Sequence, residues 1–381
     1  MKTYIVRTMV VIVFAALIAA GGSGAVREAS AFPKAQNASV NAFYLMNVPQ
    51  NYGSLEKLFP GFKASGADTI MVELWTNGVR MDNDVLANIT YLAHQSGLKL
   101  FVIVPTRENK ALLEEHSEWE DMRYDLGSGT IQPTGRLDLF QQPVVDYLMS
   151  TIKEIASFSV DGILLGSDFY YSDIEGMSAV AQELYREKFN ASLVPGDLYK
   201  KVKENGNGMK VEEYGESFMP WAGMKRDQLM VVLRETMKTA LSVNPGIKFG
   251  MPLHVNGFET QIEALTRYSY DMSAFRKIDV DYYWIAIQHR QMRIKQDLNY
   301  KKSMELVSRM VQIATTMVKE PYKSIIGVQT TAATGKVLPL SEIEEASALV
   351  KKSGEPGIAF MINPDSQPPA ALTKKMFKRQ S

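Results

Sequence analysis

The chain has 381 residues, with 42 basic and 42 acidic side chains and no cysteine. The missing thiols exclude a disulfide framework, a thiolate metal site and a lipid-attachment cysteine. The even charge balance argues against a nucleic-acid binder.

Met1 to Gly22 (MKTYIVRTMVVIVFAALIAAGG) has the pattern of a secretory signal. Lys2 and Arg7 precede an apolar core from Met9 to Ala20, and Ala29-Ser30-Ala31 is a small-x-small cleavage site. The apolar run is shorter than the roughly 20 residues of a spanning helix. Cleavage is therefore expected rather than a retained anchor, and the membrane enters only through this segment if it stays uncleaved. Removing residues 1–31 takes away Lys2, Arg7, Arg27 and Glu28, leaving 39 basic and 41 acidic side chains. The expected organisation is a signal peptide over 1–31, a flexible lead-in over 32–39, one domain over 40–370 and a basic, solvated tail over 371–381. The signal pattern predicts export.

Strand-like and helix-like stretches then alternate. The first strand is expected over Val40 to Val48 and a helix over Ser54 to Ala64. Thr69 to Trp75 reads as a strand, and Asp84 to Gln95 as a helix stopped by Gly97. Lys99 to Pro105 is the third strand. After a long connection, Pro143 opens a helix with an apolar stripe of Val144, Leu148, Ile152 and Ile155. Val160 to Leu165 is the fourth strand. A helix over Ser178 to Lys188, an irregular region and a helix over Arg226 to Val243 follow. Ile247 to His254 and Val280 to Gln288 are strands five and six, separated by helical residues near Ile262 to Phe275. A helix with Met304, Val307, Val311, Ala314 and Val318 on one side leads to strand seven, Ser324 to Thr330. Ser341 and Glu344 have the spacing of a capping box before the last helix. Gly354 ends that helix, and Gly357 to Asn363 is strand eight.

Eight such units predict an α/β fold, a closed (β/α)8 TIM barrel with long loops after strands three and four. An open doubly wound sheet is the alternative. It would carry a glycine-rich phosphate loop after its first strand, where this chain has Pro49-Gln50-Asn51-Tyr52-Gly53.

Active sites of such barrels lie at the carboxyl ends of the strands. The polar residues there are Asn47; Glu73 and Trp75; Thr106 and Arg107; Asp168; His254; Gln288, His289 and Arg290; Gln329; Asn363 and Asp365. No histidine pair has chelating spacing, so no metal and no cofactor are expected. His254 and His289 end neighbouring strands and could share a ligand, but a sugar hydrogen bond or a structural role suits them better than a metal. No G-x-S-x-G elbow is present.

Paired carboxylates remain, and glycoside hydrolysis needs two. Asp168 closes strand four among apolar and aromatic neighbours, where desolvation favours a general acid. Glu73 faces the same mouth if the register is right; its bland alternative is an ion pair with Arg107. Asp173 is a second candidate partner, though it and Glu175 equally suit the start of the next helix. Trp75, Trp119, Tyr124, Tyr170, Tyr171, Tyr214, Trp221 and Trp284 fall at strand ends or in the loops beyond. Aromatic faces there can stack on sugar rings, or simply plug the loops. The candidate substrate-binding set is Trp75, Arg107, Tyr170, Tyr171, Trp221, His254, Gln288, His289 and Trp284.

Val160-Asp161-Gly162-Ile163-Leu164, followed by Ser167-Asp168 and Ser172-Asp173-Ile174-Glu175, resembles a motif of one family. It is the C-terminal glycoside-hydrolase domain of bacterial poly-β-1,6-N-acetylglucosamine N-deacetylases, where the stretch reads F-D-G-I-L-F-H-D-D-A-x-L-S-D-x-E-D. Arg136-Leu137-Asp138-Leu139-Phe140 is similar to the family's R-L-S-P-F, and Trp221 with Lys225 to its W-x-x-F-K. The resemblance implies a (β/α)8 barrel that binds, and in some members cleaves, a partly deacetylated biofilm exopolysaccharide beside envelope export machinery. The paired aspartates after strand four are that family's catalytic carboxylates. Asp168 matches the second, Ser167 stands at the first, and Gly166 replaces the preceding His. Met251-Pro252 stands where the family has an Arg-Asn pair. These 381 residues are expected to hold no companion deacetylase domain, since they carry no H-x-x-x-H metal triad, so deacetylation is not expected. Asp161 and Asp168 also have the spacing of the first Asp and the acid in the chitinase D-G-x-D-x-D-x-E motif. The expected function is hydrolysis of an amino-sugar exopolysaccharide or cell-wall glycan. A non-catalytic periplasmic glycan-binding barrel is the alternative, and a structural subunit of an envelope complex the third.

Overall fold

The computed structural model describes residues 39–48, 52–76, 78–205, 208–254, 260–332, 335–363 and 377. The expected signal peptide, nearly all of the lead-in and the basic tail apart from Phe377 lie outside them, as does Asp365.

Eight parallel strands close into a barrel. They are β1 (Asn41–Leu45), β2 (Thr69–Glu73), β3 (Lys99–Val104), β4 (Gly162–Leu165), β5 (Lys248–Pro252), β6 (Tyr282–Ile287), β7 (Ser324–Gln329) and β8 (Gly357–Ile362). Each pairs with its neighbours in chain order, and β1 pairs with β8, for example Asn41 with Ile358. Closure rules out the open sheet.

The strands are apolar on both faces because both are covered. Side chains alternate across each strand. Ala42, Tyr44, Met71, Phe101, Ile103, Leu164, Tyr282, Trp284, Ile325, Ala359 and Met361 fill the interior. Phe43, Leu45, Ile70, Val72, Ile163, Leu165, Phe249 and Ile285 face the helices. Large and small residues interlock inside: a Cβ on Gly162 would lie 2.6 Å from the Phe101 ring.

The helices follow the expected apolar stripes. Gln142–Ala156 has Pro in its first turn and buries Val144, Leu148, Ile152 and Ile155. Ala179–Phe189 is capped by Ser178, whose side chain accepts from the Ala181 N–H at 3.1 Å. Phe218–Val243 starts a full two turns earlier than expected. The region near 262–275 is two helices, Gln261–Tyr268 and Met272–Phe275, divided at the left-handed Ser269. The Ser341/Glu344 capping box does not form. The last helix, Leu340–Lys351, begins earlier, with Pro339 in the capping position and no side-chain cap.

The loops above the barrel carry antiparallel hairpins. Trp75–Thr76 pairs with Val79–Arg80 after β2, Glu120–Asp125 with Thr130–Leu137 after β3, and Tyr199–Asn205 with Gly208–Tyr214 after β4. The loops after β3 and β4 are long as expected, but ordered. Phe377 in the tail meets Phe43 edge-on at 5.5 Å and Phe360 edge-on at 5.2 Å. Among the described residues, no helix is long and apolar enough to cross a membrane.

Candidate active site

Glu73 is the last residue of β2, in phase with the inward-facing Met71. Tyr44, inward-facing on the adjacent β1, donates its hydroxyl to Glu73 Oε1. Burial raises the pKa of Glu73; the Tyr44 bond opposes this, and the charges of Asp168 and Glu108 add to the rise. This end of the barrel therefore holds a carboxyl group biased toward its protonated form.

Asp168 lies in the turn beyond β4. Its Oδ2 accepts from three successive main-chain N–H groups: Thr106 at 2.8 Å, Arg107 at 2.5 Å and Glu108 at 2.7 Å. Its Oδ1 is buried and, among the described residues, has no hydrogen-bond partner. Gly166 continues the inward phase of Gly162 and Leu164, and a Cβ there would stand 2.5 Å from this oxygen. A glycine at 166 thus lets the carboxyl fold over the barrel mouth. Ser167, by contrast, is exposed.

An aromatic group lies just beyond Asp168, whose carbonyl accepts from the Tyr170 N–H at 2.8 Å. Tyr170 meets His254 edge-on at 4.6 Å, and His254 stacks on Tyr268 at 5.2 Å with a 7° interplanar angle. Arg136 lies 5.2 Å from the centre of the Tyr170 ring and donates to its hydroxyl at 3.1 Å. It also pairs with Glu108 at 3.0 Å and Glu175 at 3.3 Å. Burial lowers the pKa of His254 to about 4; a hydrogen bond to the Ser167 carbonyl opposes this, and the Arg136 charge adds to it. Among the described residues, His254 Nε2 has no hydrogen-bond partner. Among the described residues, no group of three or more His, Asp and Glu side chains could hold a metal ion.

No family model matches this chain, and no curated protein is similar to it in sequence. Its fold is that of glycoside hydrolase barrels. The glycoside hydrolase domain of PgaB (BpsB) from Bordetella bronchiseptica superposes with a TM-score of 0.69 at 12% identity, covering 90% of this chain and 100% of that one. The catalytic domain of a β-amylase from Paenibacillus polymyxa gives 0.58 at 14% identity, covering 88% and 96%. The β-galactosidase Gan42B from G. stearothermophilus gives 0.59 at 13% identity, covering 85% of this chain and 51% of that one.

Several expected site residues lie elsewhere. Arg107 is wholly buried and serves the loops. Its Nη2 binds Asp121 at 2.5 Å, Nη1 binds Glu175 at 2.9 Å, and Nε donates to the Leu137 carbonyl at 3.1 Å. It is neither a sugar contact nor the ion-pair partner of Glu73. Tyr171 is buried against the Arg107 guanidinium, with its hydroxyl on Asp138 at 2.8 Å. Trp221 is buried between Phe140 and Tyr185. Trp284 belongs to the barrel interior, its Nε1 donating to the Leu165 carbonyl at 2.7 Å. These aromatics plug rather than line. His289 binds Glu342 at 2.8 Å, beside a bidentate Arg290–Glu342 pair, so it does not act with His254. Trp75 is nearly buried, with Arg80 5.8 Å above its ring. Gln288 is half-buried after β6.

Asp173 and Glu175 turn out to be fastenings. Tyr214 donates to Asp173 Oδ2 and Tyr199 to its carbonyl, both at 2.9 Å. Burial raises the Asp173 pKa, opposed by the Tyr214 bond and Lys225. Neither acid caps the following helix; Ser178 does. Sequence reasoning missed Tyr44, Glu108 and Tyr268. Tyr44 was open to detection, since it shares a period-2 face with Ala42.

Proposed function

We propose that this chain is an exported glycoside hydrolase in which Glu73 and Asp168 are the two working carboxyl groups. The observation that carries the reading is the placement of Glu73: it ends β2 at the carboxyl end of the barrel, takes the Tyr44 hydroxyl and faces the charges of Asp168 and Glu108, where burial raises its pKa. Such a group can give its proton to the glycosidic oxygen as the bond to the anomeric carbon breaks. Asp168 is the second carboxylate, for attack on the sugar or activation of water; its Oδ1, buried in the ligand-free chain, is the oxygen left without a main-chain bond and would have to be uncovered by the bound glycan. Tyr170, Tyr268 and His254 give flat apolar faces for a sugar ring, and Arg136 and Glu108 give polar ones. The substrate class is an amino-sugar exopolysaccharide or cell-wall glycan. The motif around Asp168 and the PgaB domain's similar fold support it, and the leader pattern supports export.

The test is reducing-end release from partly deacetylated poly-β-1,6-N-acetylglucosamine and from peptidoglycan glycan strands. Glu73→Gln and Asp168→Asn should each lower turnover at least about 100-fold while glycan binding persists. Unchanged turnover in Glu73→Gln would remove it as the acid. The second reading, a barrel that holds glycan without cutting it, is favoured by Ser167 at the family's first aspartate and by the three main-chain bonds on Asp168 Oδ2. It predicts binding by the wild type with no new reducing ends.

A further inference from the structure

Glu73 has two carboxyl oxygens, and only one can carry the acidic proton toward a leaving group. Tyr44 donates to Oε1, and among the described residues Oε2 takes no hydrogen bond. Tyr44 is a fixed donor. It is buried in the barrel interior and meets Trp284 edge-on at 6.4 Å. Trp284 is itself held through Nε1 to the Leu165 carbonyl at 2.7 Å. A phenol hydroxyl can donate to one oxygen of a carboxylate while leaving the other free.

We propose that Tyr44 is the positioning residue of the acid: it fixes Oε1 of Glu73 and leaves Oε2 to hold the proton in the barrel mouth. This rests on the reading of Glu73 as the acid, but the bond itself can be tested without turnover. The groups facing Glu73 are Tyr44 from β1, Glu108 from the segment after β3 and Asp168 from the turn after β4. The two carboxylates favour the protonated form, and Tyr44 favours the charged form. Burial and the adjacent Glu73 charge push the phenol of Tyr44 well above its ordinary value, so it remains a donor across the working range. The proposal separates two jobs: burial, aided by the neighbouring acids, favours the proton on Glu73, and Tyr44 decides which oxygen carries it.

The experiment is a carboxyl-carbon NMR titration of the full chain labelled at glutamate, with Glu73 assigned by loss of its signal in Glu73→Gln. Tyr44→Phe should move the Glu73 midpoint up by about one pH unit. Replacing Tyr44 with 3,5-difluorotyrosine keeps the shape but makes a stronger donor, and should move the midpoint down. An unmoved midpoint in either folded variant overturns the proposal. Where the wild type cleaves glycan, Tyr44→Phe should also move the alkaline limb of the pH–rate profile up, lowering kcat about ten-fold with KM unchanged. A wild type that binds glycan without cleaving it would refute the enzymatic reading, while the titration still decides the Tyr44–Glu73 bond.

Discussion

Arg107 Nη2 donates to Asp121 Oδ2 at 2.5 Å, and neither side chain touches solvent. The guanidinium also reaches Glu175 and the Leu137 carbonyl, so one residue after β3 ties together both long loops. Removing one partner of a buried pair leaves the other charge without compensation. Arg107→Met should therefore cost about 3–5 kcal/mol, seen as a lower urea midpoint. Arg107→Lys should recover little, because an ammonium lacks the planar fork. A loss below about 1 kcal/mol, the scale of a surface pair, would contradict this account.

That hub shows where sequence reasoning stops. All eight strands were legible because a strand buried on both faces reads as an apolar run, as in Lys99–Val104 or Tyr282–Ile287. The hairpin Tyr199–Asn205/Gly208–Tyr214 looked irregular because it is mostly polar and exposed on both faces, leaving no alternation to read. Glu73 and Asp168 were legible as strand-end acids. The division of labour proposed for them was not, since it rests on Tyr44, 29 residues before Glu73, and on three backbone N–H groups about 60 residues before Asp168. Arg107 resembled a sugar contact because its partners, Asp121 and Glu175, lie 14 and 68 residues away. Trp221 and Trp284 show the same gap, since an indole at a strand end or in a loop can equally well plug the fold.

Gly166 has a steric role that alanine should expose. A Cβ at 166 would stand 2.5 Å from Asp168 Oδ1 and 2.9 Å from Pro105 Cα. The backbone contact cannot be relieved by a side-chain rotation, so Gly166→Ala should cost about 1–3 kcal/mol as overpacking. It should also push the Asp168 carboxyl off the mouth and lower glycan turnover more than glycan affinity. Thermal unfolding and reducing-end assays measure the two effects. Wild-type turnover in a folded Gly166→Ala protein would mean that the position of Oδ1 is not required.

Lys225 is wholly buried, with Nζ donating to the carbonyls of Ser172 at 2.6 Å and Glu175 at 3.2 Å. Burial lowers its pKa to about 8, against the opposing charges of Asp173, Glu175 and Asp121 and with a further lowering from Arg107. The unfolded chain holds this proton up to the ordinary lysine value near 10.5. Between these pH values the unfolded state binds more protons, so the Lys225 contribution to stability rises with pH. It is complete above about 10.5 and is lost as pH falls through 8. The stability gap between the wild type and Lys225→Met should shift in favour of the wild type across that window, by on the order of 3 kcal/mol. Denaturant titrations at pH 7.5 and 10 test this, and a gap independent of pH would show that Lys225 stays charged throughout.

His254 runs the same argument at lower pH. Its ring stacks on Tyr268, and burial holds its pKa at about 4, against the Ser167 carbonyl bond. The folded value lies below the ordinary 6.5, so the unfolded state takes up the proton first as pH falls. The contribution of His254 is therefore complete above about 6.5 and lost as pH falls through 4. With one nitrogen committed to Ser167, Nε2 of a neutral ring is a lone pair, buried and without a partner among the described residues; in the proposed site it would accept from a ligand hydroxyl or N–H that reaches it. Nitrogen NMR of the imidazole should show a neutral ring protonated at Nδ1 at pH 6, with a midpoint near 4. Saturating glycan should then move the Nε2 resonance. A midpoint near 6.5 would mean that the ring is solvated and charges freely. An Nε2 signal indifferent to bound glycan would leave His254 as packing for Tyr268.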